Sequence, residues 1–353
     1  MAAQLQLPAD IGSNPGWLIH DFQAMFRRFA VAQVSESLYR ESAFMNNAIN
    51  PQLGKIMPVG LAPMQAAFQS AAPVPVPAPY IFHIGHCGST LVSRALGASG
   101  DILPVREPRL LIAVSDCLRD LQDPLSWLSA SEYRAMERVA LLAMERQFHD
   151  AQLPVVKLTS TCNNLVDAVL DQHPDRKALF LYQPLEPALA GILRTQQKPT
   201  SDLRVQAQYR LMDWSEVSGQ QPPRLTELRA EQIAVISWLG NMTRMSHAIE
   251  RYPQRILPMN FEQFLQDPAG KLERICTHFS LRDPVQETVI KGFASVARNY
   301  SKDPRRAFTA ADRQAILNKS RQLFSSQIKA GLEYAQSLLA THQLPARVSE
   351  LTE

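Results

Sequence analysis

The stretch that decides the fold is residues 80–94, YIFHIGHCGSTLVSR, in which a short apolar run leads into a turn with two glycines. The turn, Gly85-His86-Cys87-Gly88, is followed by Ser89 and Thr90 and then by helical spacing. An apolar strand, a glycine-bearing turn and a helix in this order direct several backbone N–H groups toward one point, which suits a phosphate or sulfate. A plain tight turn with Ser89 as helix N-cap is the alternative interpretation. The Walker A spacing and its lysine are absent.

Short apolar runs alternate with helical stretches from Tyr80 onward, and this alternation predicts βαβ units with a buried parallel sheet. The predicted strands are Tyr80–Ile84, Ile102–Val105, Pro154–Leu158, Ala178–Tyr182 and Arg255–Pro258, and helices are predicted to begin near Thr90, Pro108, Asn163 and Leu185. The predicted fold class is therefore α/β, a P-loop-type parallel sheet flanked by helices.

The segments on either side of this core are predicted to be helical extensions. Residues 1–79 form the N-terminal one, in which Phe22, Met25, Phe26 and Phe29 recur at the spacing of one or two amphipathic helices within residues 17–50. This extension ends in PVPVPAPY (73–80), which is typical of an extended, polyproline-like linker.

The core is predicted to span residues 80–285 and to be followed by a helical C-terminal region, residues 286–353, that packs on it. Beyond about Leu281 the sequence shows only helical periodicity, including one long predicted helix from Ala310 to Leu339.

The composition limits the classes of function. The chain has 353 residues, with 36 Lys and Arg against 33 Asp and Glu, so its formal net charge is +3, and 46% of its residues are hydrophobic. These proportions are those of an ordinary globular protein, and they exclude a dedicated nucleic-acid binder and a disordered chain. Any anion that the protein binds must therefore be bound by a local arrangement of donors.

We expect a cytoplasmic protein with free thiols. Its four cysteines lie far apart without a C-x-x-C pair, and the N-terminal residues lack the pattern of a signal peptide. Six prolines interrupt the uncharged stretch 56–91, which excludes a membrane span. No ligand spacing for a metal is present, so we expect no metal site.

Five stretches in order resemble the sulfotransferase family, which uses 3′-phosphoadenylyl sulfate as donor. The turn 85–91 resembles its 5′-phosphosulfate loop, and the segment 179–191, LFLYQPLEPALAG, resembles its 3′-phosphate segment. The other three are VREPRLL (105–111), VVKLT (155–159) and RILPMNFEQFLQDPAGKLERICTHFSL (255–281). The resemblance covers roughly residues 80–281 and implies a sulfotransferase-like fold, sulfuryl transfer, a nucleotide donor and a small-molecule or glycan acceptor.

The sequence departs from the family pattern where the family carries charge. His86 occupies the place of the loop Lys or Arg, while Gln183 and Gly191 occupy the places of the Arg and Ser that hold the 3′-phosphate. A glutamine donates hydrogen bonds without charge, and a glycine donates only its backbone N–H. Each lost charged contact typically costs on the order of 1.5–3 kcal/mol of binding.

The chemistry of sulfuryl transfer assigns roles to three residues. The resemblance implies that Glu107 is the base for the acceptor, whereas His86 and Lys157 are candidates for stabilising the leaving phosphate oxygen. Each has an alternative: Lys157 as a strand-end lysine reaching solvent, and Glu107 as a partner of Arg106 or Arg109 or as a cap of the helix that opens at Pro108. His83, inside the apolar strand, is expected to be a hydrogen-bonded core histidine.

A basic cluster, Lys302-Asp-Pro-Arg305-Arg306, is a candidate for closing over the nucleotide, and a solvated loop is the alternative. Three functions stay open: an active sulfotransferase, a protein that binds a different phosphate donor, and a catalytically degenerate interaction protein. Glu107 and Lys157 favour an enzyme, whereas Gln183 and Gly191 favour the other two. The acceptor and the oligomeric state, including a homo-oligomer, stay open.

Overall fold

A computed structural model describes residues 7–71, 76–195, 202–221, 223–300, 303–307, 309–342, 345 and 348. The strands are β1 Trp17–Gln23, β2 Arg28–Gln33, β3 Met57–Gly60, β4 Tyr80–His83, β5 Ile102–Arg106, β6 Leu153–Lys157, β7 Ala178–Tyr182, β8 Ile256–Asn260, β9 Asn299–Tyr300 and β10 Asp303–Ala307. The α-helices are α1 Glu36–Glu41, α2 Leu61–Gln69, α3 Ser89–Leu96, α4 Arg109–Asp120, α5 Ala130–Ala143, α6 Val166–Asp171, α7 Leu185–Thr195, α8 Asp202–Val205, α9 Ala207–Ser218, α10 Ala230–Arg251, α11 Phe261–Gln266, α12 Pro268–His278, α13 Asp283–Ala297, α14 Ala310–Leu323 and α15 Ser325–Thr341.

A five-stranded parallel sheet with strand order β5-β6-β4-β7-β8 forms the centre of the molecule. Strands β4 and β7 are buried along their whole length, as expected when helices cover both faces of a parallel sheet. All five predicted strands are present, with bounds that differ by at most two residues, and helices α3, α4 and α7 begin where the sequence predicts them. The α/β fold class is confirmed.

The helical prediction is wrong for residues 17–33, which form the hairpin β1-β2, to which β3 adds a third antiparallel strand. The short helix α1 is the helical part of the predicted range. Phe22 and Phe29 face each other across the hairpin, with ring centroids 4.8 Å apart. Met25 and Phe26 lie at its exposed turn, which ends at Arg27 in the left-handed conformation with φ 48°. Apolar residues seven positions apart lie on the same face of a helix. They can also face each other across a hairpin whose turn lies midway between them.

The N-terminal segment joins the central sheet next to the end of β5. Met45 donates its N–H to the carbonyl of Arg106 (2.6 Å) and accepts at its own carbonyl from the N–H of Arg109 (3.1 Å). The buried guanidinium of Arg106 donates to the carbonyls of Tyr39, Arg40 and Ser42 at 3.4, 3.1 and 2.9 Å. The N-terminal segment is therefore fixed at the carboxyl edge of the sheet.

The C-terminal region is not entirely helical, which corrects the prediction of a helical region over residues 286–353. A short antiparallel pair, β9 and β10, follows α13, and the long helix predicted for residues 310–339 is divided into α14 and α15 at Phe324. Arg321 on α14 forms a two-pronged ion pair with Glu186 on α7, with both N–O distances 2.8 Å. These contacts hold the C-terminal helices on the core, while the division into domains stays a prediction.

Two further observations concern membrane spans and cysteines. In the described ranges, every helix is too short or too polar to cross a bilayer. The four cysteines are free thiols, of which Cys87, Cys162 and Cys276 are buried. Residues 72–75 of the proline-rich linker lie outside the described residues, and residues 76–79 belong to no helix or strand.

Candidate functional site

The turn after β4 has the backbone geometry of an anion cradle. Gly85, His86 and Gly88 have positive φ angles of 84°, 54° and 73°, and α3 begins at Ser89. Within the described chain, no side chain caps α3 and no carbonyl accepts the N–H groups of Gly88, Thr90 and Leu91. Unsatisfied N–H groups at a helix N-terminus bind anions, since the helix dipole favours negative charge there.

Packing around the turn accounts for the residue types at Gly88 and Cys87. A Cβ atom on Gly88 would lie 2.0 Å from Cζ of Phe261, so only glycine leaves room for this ring. The buried thiol of Cys87 donates to the carbonyl of Leu181 at 3.2 Å, and burial raises the pKa of Cys87 to about 12. Cys87 is therefore an inert packing residue, whereas His86 is exposed.

His83 is a buried, hydrogen-bonded core residue, as the sequence predicts. Its Nδ1 atom accepts the N–H of Gly85 at 2.9 Å. A ring nitrogen that accepts cannot carry the proton, so Nε2 is protonated and donates to the carbonyl of Leu158 at 2.9 Å. His83 thus connects the start of the turn with the end of β6.

Glu107 and Lys157 form an ion pair at the carboxyl ends of the neighbouring strands β5 and β6. The lysine side chain is 1% exposed and the glutamate side chain 15%, so the alternative in which Lys157 reaches solvent is wrong. The ammonium group also lies 5.8 Å from the ring centroid of Phe44, in the N-terminal segment. The carboxylate of Glu107 pairs with this ammonium rather than with Arg106 or Arg109.

Backbone strain marks the same edge of the sheet. Among the described residues, four that are not glycine have positive φ angles: Arg27, His86, Glu107 and Ser280. Such conformations cost about 1–3 kcal/mol each and cluster at functional sites. Two of the four, Glu107 at 52° and His86 at 54°, are the residues to which the sequence assigns roles in catalysis.

The opposite side of the turn, beyond β7, is polar but uncharged at the predicted positions. Gln183 follows β7, is 2% exposed, and accepts the indole N–H of Trp238 at its carbonyl (3.0 Å). Gly191 on α7 lies beside the turn, because a Cβ placed on it would be 3.7 Å from the Cβ of His86. The structure thus brings Gly191 next to His86. Lys302 lies outside the described residues, and of Arg305 only the backbone, in β10, is described.

Two residues at this edge carry no signal that sequence reasoning used, Ser160 and Arg210. Arg210 on α9 is 7% exposed and donates from Nη1 to the carbonyl of Ser160 (3.0 Å) and from Nη2 to its hydroxyl oxygen (2.8 Å). The hydroxyl oxygen of Ser160 lies 3.3 Å from the position that a Cβ on Gly85 would take. Ser160 follows the lysine-bearing strand by three residues, but nothing in the sequence connects Arg210 with it.

Comparisons with known proteins add a likeness in overall structure. No family model and no curated protein matches the sequence. The chain is similar to sulfotransferase STF9 from Mycobacterium avium (14% identity over 74% of this chain and 81% of that one, TM-score 0.40). It is also similar to the sulfotransferase domain from the curacin biosynthetic pathway (12% identity over 77% of this chain and 100% of that one, TM-score 0.43). A third similar structure is sulfotransferase STF1 from Mycobacterium tuberculosis H37Rv (14% identity over 75% of this chain and 81% of that one, TM-score 0.42).

The donors described at this edge of the sheet are N–H groups, which suit an anion. Within the described ranges, no group of three or more His, Cys, Asp or Glu side chains is placed to hold a metal. The N–H groups at the start of α3 suit a phosphate or a sulfate. Gln183 and Gly191 supply no charge for a 3′-phosphate.

Proposed function

We propose that the protein transfers a sulfuryl group from 3′-phosphoadenylyl sulfate to a hydroxyl or amine acceptor. The observation that carries the proposal is the placement of the turn Gly85–Thr90 and the Glu107–Lys157 pair at one edge of the sheet, each with a strained non-glycine residue. In open α/β sheets, ligands bind beyond the carboxyl ends of the strands. Strained backbone at that edge further supports a catalytic rather than a purely structural role.

In the proposed reaction, the acceptor oxygen or nitrogen forms a bond to sulfur while the bond between sulfur and the bridging phosphate oxygen breaks. That oxygen leaves on adenosine 3′,5′-bisphosphate with the bonding electron pair. Glu107 takes the proton of the acceptor, and Lys157 holds its carboxylate in place. The N–H groups at the start of α3, with His86 beside them, stabilise the charge that develops on the leaving phosphate.

A second candidate is a donor that lacks the 3′-phosphate, and the observation that favours it is the uncharged side beyond β7. A phosphate held by Gln183 and Gly191 gains no charge-assisted hydrogen bond from their side chains. In that case the same turn binds the 5′-phosphate or 5′-phosphosulfate of a nucleotide whose 3′-hydroxyl carries no phosphate.

Calorimetric titration separates these candidates. The protein is titrated with adenosine 3′,5′-bisphosphate, adenosine 5′-phosphate and ATP, and sulfate transfer from radiolabelled donor to a panel of acceptors is followed in parallel. We expect the bisphosphate to bind more tightly than the other two. Equal affinity for the bisphosphate and the 5′-phosphate favours the second candidate, and no heat with any ligand would overturn both in favour of a degenerate interaction protein.

The variant His86→Ala tests the role of the turn. We expect weaker donor binding and slower transfer with the fold retained, since His86 is exposed. Unchanged transfer would reduce His86 to a turn residue. The cytoplasmic location, a homo-oligomer and the closing role of Lys302 and Arg305 stay predictions.

A further inference from the structure

Ser160 and Arg210 form a polar pair on the side of the turn that faces Glu107. The strand order places β6 between β4, which leads into the turn, and β5, which ends next to Glu107. Ser160 follows β6 by three residues. The pair therefore lies between the donor cradle and the proposed base, where a group passing from donor to acceptor must be held.

The hydrogen bonds of the pair leave one donor for a ligand. The hydroxyl oxygen of Ser160 accepts from Nη2 of Arg210 at 2.8 Å, so its own proton points in another direction. Among the described residues, this proton has no acceptor, although Ser160 is only 8% exposed. A buried donor without an acceptor costs about 1–3 kcal/mol, so a ligand oxygen at this point is favoured.

Gly85 leaves the space in which that ligand oxygen can lie. A Cβ on Gly85 would be 3.3 Å from the hydroxyl oxygen of Ser160, tighter than an ordinary contact. The hydroxyl oxygen of Ser160 therefore lies next to Gly85, at the start of the turn.

We propose that the hydroxyl of Ser160, held and polarised by the guanidinium of Arg210, binds the sulfuryl oxygens of the donor. The inference rests on the proposed function and divides the donor between two parts of the site. The N-terminus of α3 binds the phosphate, while Ser160 and Arg210 bind the group that is transferred. The positive charge of Arg210 takes over the role for which the turn has neither lysine nor arginine, because charge on the transferring group is best stabilised by fixed donors.

The test compares a ligand that carries the sulfuryl group with one that lacks it. Ser160→Ala and Arg210→Gln are titrated with 3′-phosphoadenylyl sulfate and with adenosine 3′,5′-bisphosphate. We expect the first ligand to bind roughly 10- to 100-fold more weakly to each variant, as for loss of a charge-assisted contact, and the second to change less than about threefold. Arg251→Gln, which removes an exposed arginine on α10, is the matched control.

The outcomes distinguish the two proposals. Equal weakening of both ligands, or no change in either, overturns the role of the pair while leaving sulfuryl transfer in place. Failure of the unmodified protein to bind either ligand overturns the proposed function itself. Circular dichroism confirms the fold of each variant, and Arg210→Lys, which keeps the charge but loses the two-pronged contact, is expected to lie between Arg210→Gln and the unmodified protein.

Discussion

The two sides of the turn Gly85–Thr90 differ in charge. Toward β6 and β5 lie the ion pair of Glu107 and Lys157 and the guanidinium of Arg210, all largely buried. Toward β7 and α7 lie Gln183 and Gly191, which have no charge. Of the residues that the sequence predicts for the site and the structure describes, the charged ones therefore lie on the side where the proposed transfer takes place. On the proposed function, this contrast predicts that charge acts mainly on the transferred group.

The strongest test of the charged side is Glu107→Gln, which keeps the shape of the side chain but removes the base. We expect turnover to fall by about 10²- to 10⁴-fold, the usual contribution of a positioned general base. Binding of adenosine 3′,5′-bisphosphate should change little. The measurements are initial rates and calorimetry, with Glu287→Gln on the exposed face of α13 as control. Turnover within threefold of the unmodified protein would contradict the assignment.

Lys157→Met removes the cation of the ion pair with Glu107. Because the lysine side chain is 1% exposed, its loss leaves a carboxylate in a largely buried site, and we expect the free energy of unfolding to fall by about 3 kcal/mol. Urea denaturation measures this loss. The matched control is Lys291→Met, whose pair with Glu287 is exposed and screened by solvent and should contribute little to stability. Equal losses in the two variants would show that burial of the pair has no energetic consequence.

Gly191→Ser sharpens the contrast from the neutral side. A side chain fits here, since its Cβ would be 3.7 Å from that of His86, an ordinary contact. A hydroxyl donating to a 3′-phosphate should tighten binding of adenosine 3′,5′-bisphosphate by roughly 3- to 30-fold without affecting adenosine 5′-phosphate. Gly191→Ala, which adds the carbon alone, is the control. A gain that Gly191→Ala shares would point to helix stability instead of a phosphate contact.

The smallest effect concerns the opposite, amino end of β7, where Nε2 of His278 contacts the carbonyl of Ala178 at 3.0 Å. Burial lowers the pKa of His278 below its ordinary value of 6.5. The folded protein then binds fewer protons than the unfolded chain, so stability should fall as the pH drops below 6.5, by at most about 1.4 kcal/mol per pH unit. Denaturation between pH 5 and 7 should show a flatter profile for His278→Gln, with the affinity for donor unchanged. An identical profile would exclude His278 as its source.

The central sheet and the turn could be predicted because their signals are local. Each buried strand is a short apolar run, and the turn consists of residues that are adjacent in the sequence. The hairpin of β1 and β2 could not, since Phe22, Met25, Phe26 and Phe29 fit a helix face as well as a hairpin, and only the pairing of Phe22 with Phe29 decides between them. The contact of Ser160 with Arg210, 50 positions away, is equally invisible, because no periodicity connects residues at that separation.

Arg106 joins the N-terminal segment to the residue that precedes Glu107. Its guanidinium donates to three carbonyls of residues 39–42 and to the hydroxyl of Ser93 in the core. A protein shortened to its central sheet would therefore lose three of the acceptors of Arg106, the residue next to its proposed base. A chain that begins at residue 80 would thus lack part of the structure that supports the proposed site.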